Sequence, residues 1–118
     1  MAKIVVLDDQ IRTCETIKHR LLADGHEVKT ATAGAEAIDL GYLFEPDVLI
    51  TDLDLRSDYD GFEVATAVLA AKSDVKTILI TGHDICRRTP DKRFFARFQK
   101  PFSLDKLAES VSLAIAAQ

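Results

Sequence analysis

The feature that most limits the fold of this chain is the run Pro46-Asp47-Val48-Leu49-Ile50-Thr51-Asp52, unbroken in apolar character from Val48 to Ile50 and ending on a carboxylate. A strand with one wet face alternates apolar with polar residues, so this run marks a parallel strand covered on both faces. Asp52 then leaves the core at the strand's carboxyl edge, where open α/β sheets bind ligands at the point where strand order reverses. Aspartates after strands also start turns and cap helices. Asp52 alone therefore decides nothing, and the other strand ends must be read beside it.

Lys3 to Leu7 is a compact apolar strand that ends on the adjacent acids Asp8 and Asp9. Helix capping accounts for one of them, because helix N-termini favour negative charge, but not for both. A helix is predicted from about Gln10 to Ala23, with Ile11, Cys14, Ile17 and Leu21 on its inward face and Gly25 in the place of a C-cap. His26 to Ala31 alternates as a half-exposed second strand, and Ala33 to Leu43 forms a second helix closed by Glu45-Pro46. A polar loop from Asp52 to Gly61, its acids mostly solvated, leads into a helix from Phe62 to about Ala71. Val75 to Ile80 is a fourth strand ending on Thr81-Gly82, and Phe94 to Gln99 a fifth leading to Lys100-Pro101-Phe102. Ser103 caps a last helix with Leu104, Leu107, Val111 and Ile115 facing inward. Regular alternation of strand and helix predicts a doubly wound α/β sandwich around a parallel sheet.

At 118 residues the chain reads as one domain, 1–118, long enough to bury roughly two thirds of its unfolded surface. A formal charge of -4 gives no general attraction to nucleic acid or anionic lipid, which argues against both as partners. Cys14 and Cys86 have neither metal spacing nor a disulfide framework, which points to a reducing, cytoplasmic setting, with Cys14 read as core. His19 and His26 are expected at the surface, since neither has a second ligand at metal spacing. The N-terminal apolar run is far too short for a signal peptide or a membrane span. Arg87, Arg88, Lys92, Arg93 and Arg97 form a local basic stretch, read as a solvated face or a partner surface.

Four strand ends thus converge on one edge, offering Asp8 and Asp9, Asp52, Thr81 and Lys100. Carboxylates crowd together only around a cation, and an all-oxygen ligand set suits octahedral Mg2+. With the metal neutralising its neighbours, one carboxylate can attack phosphorus and form an aspartyl phosphate. Lys100 and the Thr81 hydroxyl are placed to hold the transferring oxygens, and Gly82 leaves room for a backbone N–H to approach.

This pattern resembles the receiver domain of two-component response regulators along the whole chain. The likeness rests on the acid pair after the first strand, Pro46-Asp47 through Asp52, Asp60-Gly61-Phe62-Glu63, Ile80-Thr81-Gly82 and Lys100-Pro101-Phe102. It implies a flavodoxin-like five-stranded parallel sheet of order 2-1-3-4-5. It further implies that Asp52 is the phosphoacceptor, Asp9 a direct Mg2+ ligand, Asp8 an outer acid and Asp54 a ligand through its main-chain carbonyl. Thr81 and Lys100 become the switch and phosphate-binding residues. The phosphodonor would be a sensor histidine kinase or a histidine phosphotransfer protein, and the domain a switch rather than an enzyme, with output through contact with a further protein.

Three features depart from that pattern. The loop Arg56-Ser57-Asp58 lacks the usual proline after the acceptor and is one residue longer before Gly61, and Arg97 stands where an aromatic switch residue is usual. The stretch from Gly82 to Lys92 leaves room for a fourth helix of about two turns or less, so that helix is expected to be short or irregular, mobile, and ordered by phosphate. Two other functions compete with a phosphorylated receiver. One is a receiver-fold binding module that works without phosphate. The other is an aspartate-nucleophile phosphohydrolase resembling the haloacid dehalogenase family, since Asp52-Leu53-Asp54 also fits a nucleophile with a general acid two residues later. The chain is short for the latter.

Overall fold

The computed structural model describes residues 2–55, 59–82 and 93–118. The longer loop at 56–58 and the expected short fourth helix between Gly82 and Lys92 lie outside, or almost wholly outside, the described residues. Within them the elements run β1 (Lys3–Leu7), α1 (Ile11–Ala23), β2 (Glu27–Ala31), α2 (Gly34–Leu43), β3 (Val48–Asp52), α3 (Gly61–Ala71), β4 (Lys76–Thr81), β5 (Phe94–Gln99) and α4 (Leu104–Ala116). All neighbouring strands pair in parallel in the order β2-β1-β3-β4-β5. This is the flavodoxin-like doubly wound sheet that the alternation and the resemblance predicted.

The two faces of the sheet are sorted by strand alternation. Ile4, Val6, Val48, Ile50, Ile78 and Ile80 face one way and pack with Cys14, Ile17 and Leu21 of α1 and Leu107, Val111 and Ala114 of α4. Val5, Leu7 and Leu49 face the other way, against Ala37 and Phe44 at α2 and Val64 and Val68 of α3. Every residue of β3 is buried, which is why that strand carries no alternating pattern. Cys14 is buried core, as expected. Its thiol donates weakly to the carbonyls of Asp8 and Ala31 at 3.4 and 3.5 Å. Burial, the largest influence, pushes it up to about 11 although the Asp8 carbonyl pulls the other way.

Ile11, expected on the inward face of α1, is instead 66% exposed. It is the first residue of the helix, at the strands' carboxyl edge, where no neighbouring layer covers it. His26 is half-buried, and its Nδ1 accepts the backbone N–H of Ala2 at 3.3 Å. Asp60, though exposed, has a structural part in the loop. Its side chain accepts the Glu63 amide at 2.8 Å while the Glu63 carboxylate accepts the Asp60 amide at 3.1 Å, a capping box that starts α3 at Gly61. After α1, Gly25 takes φ +86°, the left-handed turn that stops a helix and favours glycine.

Candidate functional site

Asp8 and Asp9 follow β1, Asp52 ends β3, Thr81 ends β4 and Lys100 follows β5. Register brings these ends level. Leu7 lies beside Thr51, Asp52 beside Ile80, and Thr81 beside Gln99. The loop backbones are stitched in the same way: the Leu53 amide donates to the Ile80 carbonyl at 3.0 Å and the Lys100 amide to the Thr81 carbonyl at 2.7 Å. The Lys100–Pro101 peptide that turns the chain away from the site is cis.

The side chains meet as the strand ends do. Asp8 is fully buried and Asp52 is 5% exposed. Lys100 Nζ donates to Asp8 Oδ2 at 2.8 Å and to Asp52 Oδ2 at 3.2 Å. The second oxygen of Asp8 accepts the Gln10 amide at 2.9 Å, and that of Asp52 accepts the Asp54 amide at 3.3 Å. Carboxylate oxygens of Asp8, Asp9 and Asp52 all lie within 4.8 Å of one another. Asp54 contributes its backbone beside Asp52, while its side chain is exposed and outside that cluster. Thr81 is fully buried at the end of its strand.

The crowding of these acids shows in their electrostatics. Burial is the largest influence on Asp52 and the charge of Asp8 the next; both push its carboxyl above the ordinary range, against the pull of Lys100. Burial alone would lower the Lys100 ammonium, but its hydrogen bond to Asp8 and the charges of Asp8 and Asp52 outweigh that and raise it. Among the described residues, three acids gather here as an oxygen-only donor set, which fits a hard divalent cation such as Mg2+.

Gly61 belongs to the site although its sequence signal was only a place in a motif. A Cβ there would stand 2.4 Å from the Asp52 carbonyl oxygen and 2.9 Å from Leu53 Cα. Its amide donates to the Leu53 carbonyl at 3.0 Å. Only a residue without a side chain lets α3 begin this close to the acceptor strand.

A doubly wound parallel sheet of this order, with acids, a hydroxyl and a lysine collected at its carboxyl edge, defines the class of receiver folds. The chain belongs to the response regulator receiver domain family, whose profile matches residues 4–112. It is 29% identical over 80 residues to the cell cycle transcriptional regulator CtrA of Caulobacter vibrioides, an alignment that covers 68% of this chain and 34% of that protein. The chain thus spans about a third of that regulator's length. With sporulation initiation phosphotransferase F of Bacillus subtilis it shares 22% identity over 112 residues, covering 92% of this chain and 90% of that one. A response regulator receiver domain protein of Clostridium thermocellum superposes with a TM-score of 0.87 at 26% identity, covering 99% of this chain and 96% of the other. These relatives support a two-component phosphoacceptor role. Receiver domains are in general signalling domains rather than enzymes, and typically bind Mg2+ at an acidic pocket. Among the described residues no helix is long and apolar enough to cross a membrane.

Proposed function

We propose that the protein is a Mg2+-dependent signalling switch that accepts a phosphoryl group on Asp52. The observation that carries this reading is the setting of the Asp52 carboxylate: at the end of a fully buried strand, touching Lys100 and the Asp54 amide, and clustered with two other acids. Both oxygens of Asp8 are already engaged, by Lys100 and by the Gln10 amide. The receiver resemblance makes Asp8 an outer acid, so Asp9 and Asp52 would hold the ion through carboxylates and Asp54 through its carbonyl. Bound Mg2+ supplies the positive charge that lets a carboxylate and a phosphoryl group approach each other.

An Asp52 oxygen forms the new P–O bond as the P–N bond of a phosphohistidine breaks; the imidazole nitrogen keeps the electron pair and is protonated. Lys100 exchanges its bond to Asp52 for one to a phosphoryl oxygen, and the Thr81 hydroxyl donates to another. The donor is the phosphohistidine of a sensor kinase or phosphotransfer protein. A hollow of about 400 Å3 beside Lys100, lined by Gln10, Thr13, Ile17, Pro101 and Phe102, supports a protein donor, as does the exposed Ile11 at the start of α1. Output is contact with a second protein, in the cytoplasm, without turnover of a separate substrate.

Incubation with a small acyl phosphate and Mg2+, read by mass spectrometry, tests this reading. A single phosphoryl group on Asp52, lost without Mg2+, is expected. Equal labelling of an Asp52→Ala variant on another aspartate would overturn it, and steady release of phosphate from simple esters would favour the phosphohydrolase alternative.

A further inference from the structure

At the opposite edge of the sheet from Asp52 lies a hollow of about 440 Å3, lined by Leu69, Ser73, Val75, Lys76, Thr77, Arg93, Phe94 and Phe95. Among the described residues two cations and two hydroxyls line it and no carboxylate does, in a protein with a formal charge of -4. Thr77 is fully buried, and its Oγ1 is a buried side-chain oxygen with no hydrogen-bond partner among the described residues. Buried hydroxyls are nearly always paired, so an orphan beside a cavity marks a place where a polar group is missing. Its direction follows from strand alternation. Ile78 and Ile80 face α1 and α4, so Thr77 faces the α3 side, where Leu69 and Val75 also stand.

Strand pairing is also irregular here. Thr77 pairs with Phe94 and Ile78 with Ala96, so Phe95 is an extra residue in β5, and such a bulge leaves its own ladder groups unpaired. The bulge also turns Phe94 onto the α3 face, where it joins Leu53, Ala65 and Leu79, while Ala96 and Phe98 pack on the other face. Arg93 is held at the rim rather than loose in solvent. Its Nη1 donates to Thr66 Oγ1 at 2.9 Å and to the Phe62 carbonyl at 3.4 Å, and the guanidinium lies 4.9 Å over the Phe62 ring.

From these observations we infer that the hollow is a binding site for a small phosphate-class oxyanion, separate from the Asp52 site. The anion is held by Lys76 and Arg93 and receives hydrogen bonds from the hydroxyls of Ser73 and Thr77. A prefixed guanidinium with neighbouring hydroxyls suits tetrahedral oxyanions, and the volume falls in the range of small-ligand clefts, leaving room for an organic body against Phe94 and Phe95.

The test uses inorganic phosphate on the full chain without Mg2+, followed by residue-resolved amide shifts. Saturable shifts at residues 73–77 and 93–95 are expected, with affinity falling about tenfold or more in Thr77→Val and in Lys76→Gln. Both variants are expected to keep Mg2+ binding and Asp52 labelling, which separates this site from the phosphoacceptor chemistry. Absence of saturation, shifts confined to residues near Asp8, Asp9 and Lys100, or binding unchanged in both variants would each overturn the inference. Thr77→Val conserves shape, and Lys76 is only half-buried on the rim, so neither result is confounded by loss of the fold.

Discussion

A carboxylate that is 5% exposed, and that shares the Lys100 ammonium with a second, fully buried carboxylate, raises the free energy of the folded protein whenever no cation joins them. The sign follows from the raised Asp52 carboxyl. Its neutral form is favoured by folding, so its burden is absent at a pH below the ordinary aspartate range and grows as pH rises through the elevated folded value, reaching its full size above it. Asp52→Asn is therefore expected to stabilise the metal-free protein at neutral pH by about 0.5–2 kcal/mol, and to gain less than the parent on addition of Mg2+. Denaturant unfolding with and without the ion checks both halves; an unchanged or lowered midpoint without metal contradicts the first. Gly61 carries the opposite expectation. Gly61→Ala sets a Cβ against the Asp52 carbonyl and Leu53 Cα, both backbone atoms, and is expected to cost about 1–3 kcal/mol and to slow labelling of Asp52 by shifting the acceptor strand's end. Full stability in that variant would mean that α3 recedes freely.

The strands and helices were legible because each follows one strong rule. Buried parallel strands show as Val48-Leu49-Ile50 and Ile78-Leu79-Ile80, and α4 shows as Ser103 followed by an inward stripe through Leu107 and Val111. The acids, threonine and lysine of the site were legible for the same reason, since a residue that ends a parallel strand has only one edge to occupy. What stayed hidden depends on partners from other elements. Exposure of Ile11 follows from where α1 begins relative to the sheet's edge, and the bulge at Phe95 from pairing with β4, neither of which periodicity records. The capping box did have a signal, Asp60-Gly61-Phe62-Glu63, masked by the surrounding run of acids. Asp47 shows the same dependence. Its carboxylate accepts the Lys3 amide at 2.9 Å and Lys72 Nζ at 3.2 Å, so one residue ties the start of β1 to the end of α3 beneath β3. Burial by itself would raise its carboxyl, but the Lys3 amide and then Lys72 outweigh burial and hold it below the ordinary range. Its contribution is thus complete above the ordinary aspartate range and disappears as pH falls through the lowered folded value. Asp47→Asn is expected to cost about 1 kcal/mol at neutral pH and progressively less in acid, a partly exposed pair being worth little more. A difference from the parent that stays constant down to strongly acidic pH contradicts this.

Across the whole molecule, the carboxyl edge of the sheet gathers charge from three strands, and Lys100 links the first to the third through side-chain contacts to Asp8 and Asp52. Removal of that ammonium has consequences for both stability and chemistry, and the two separate experimentally. Lys100→Ala leaves two buried carboxylates facing each other, which is expected to cost about 2 kcal/mol without metal, less than a fully buried broken pair because the lysine side chain is itself 26% exposed. Mg2+ held at Asp9 and Asp52 would place positive charge beside both of these carboxylates, so the ion is expected to restore most of that loss and to bind the variant at least as well as the parent, with one fewer cation to repel it. Labelling of Asp52 is expected to stay impaired even when Mg2+ has restored the fold, because the ammonium meets the phosphoryl oxygens and the ion does not replace that contact. Thermal unfolding at increasing Mg2+ and labelling by an acyl phosphate are to be measured on the same preparation. Recovery of stability together with full labelling would reduce Lys100 to a counter-charge for Asp8 and Asp52, whereas recovery of stability alone assigns it to the transferring group.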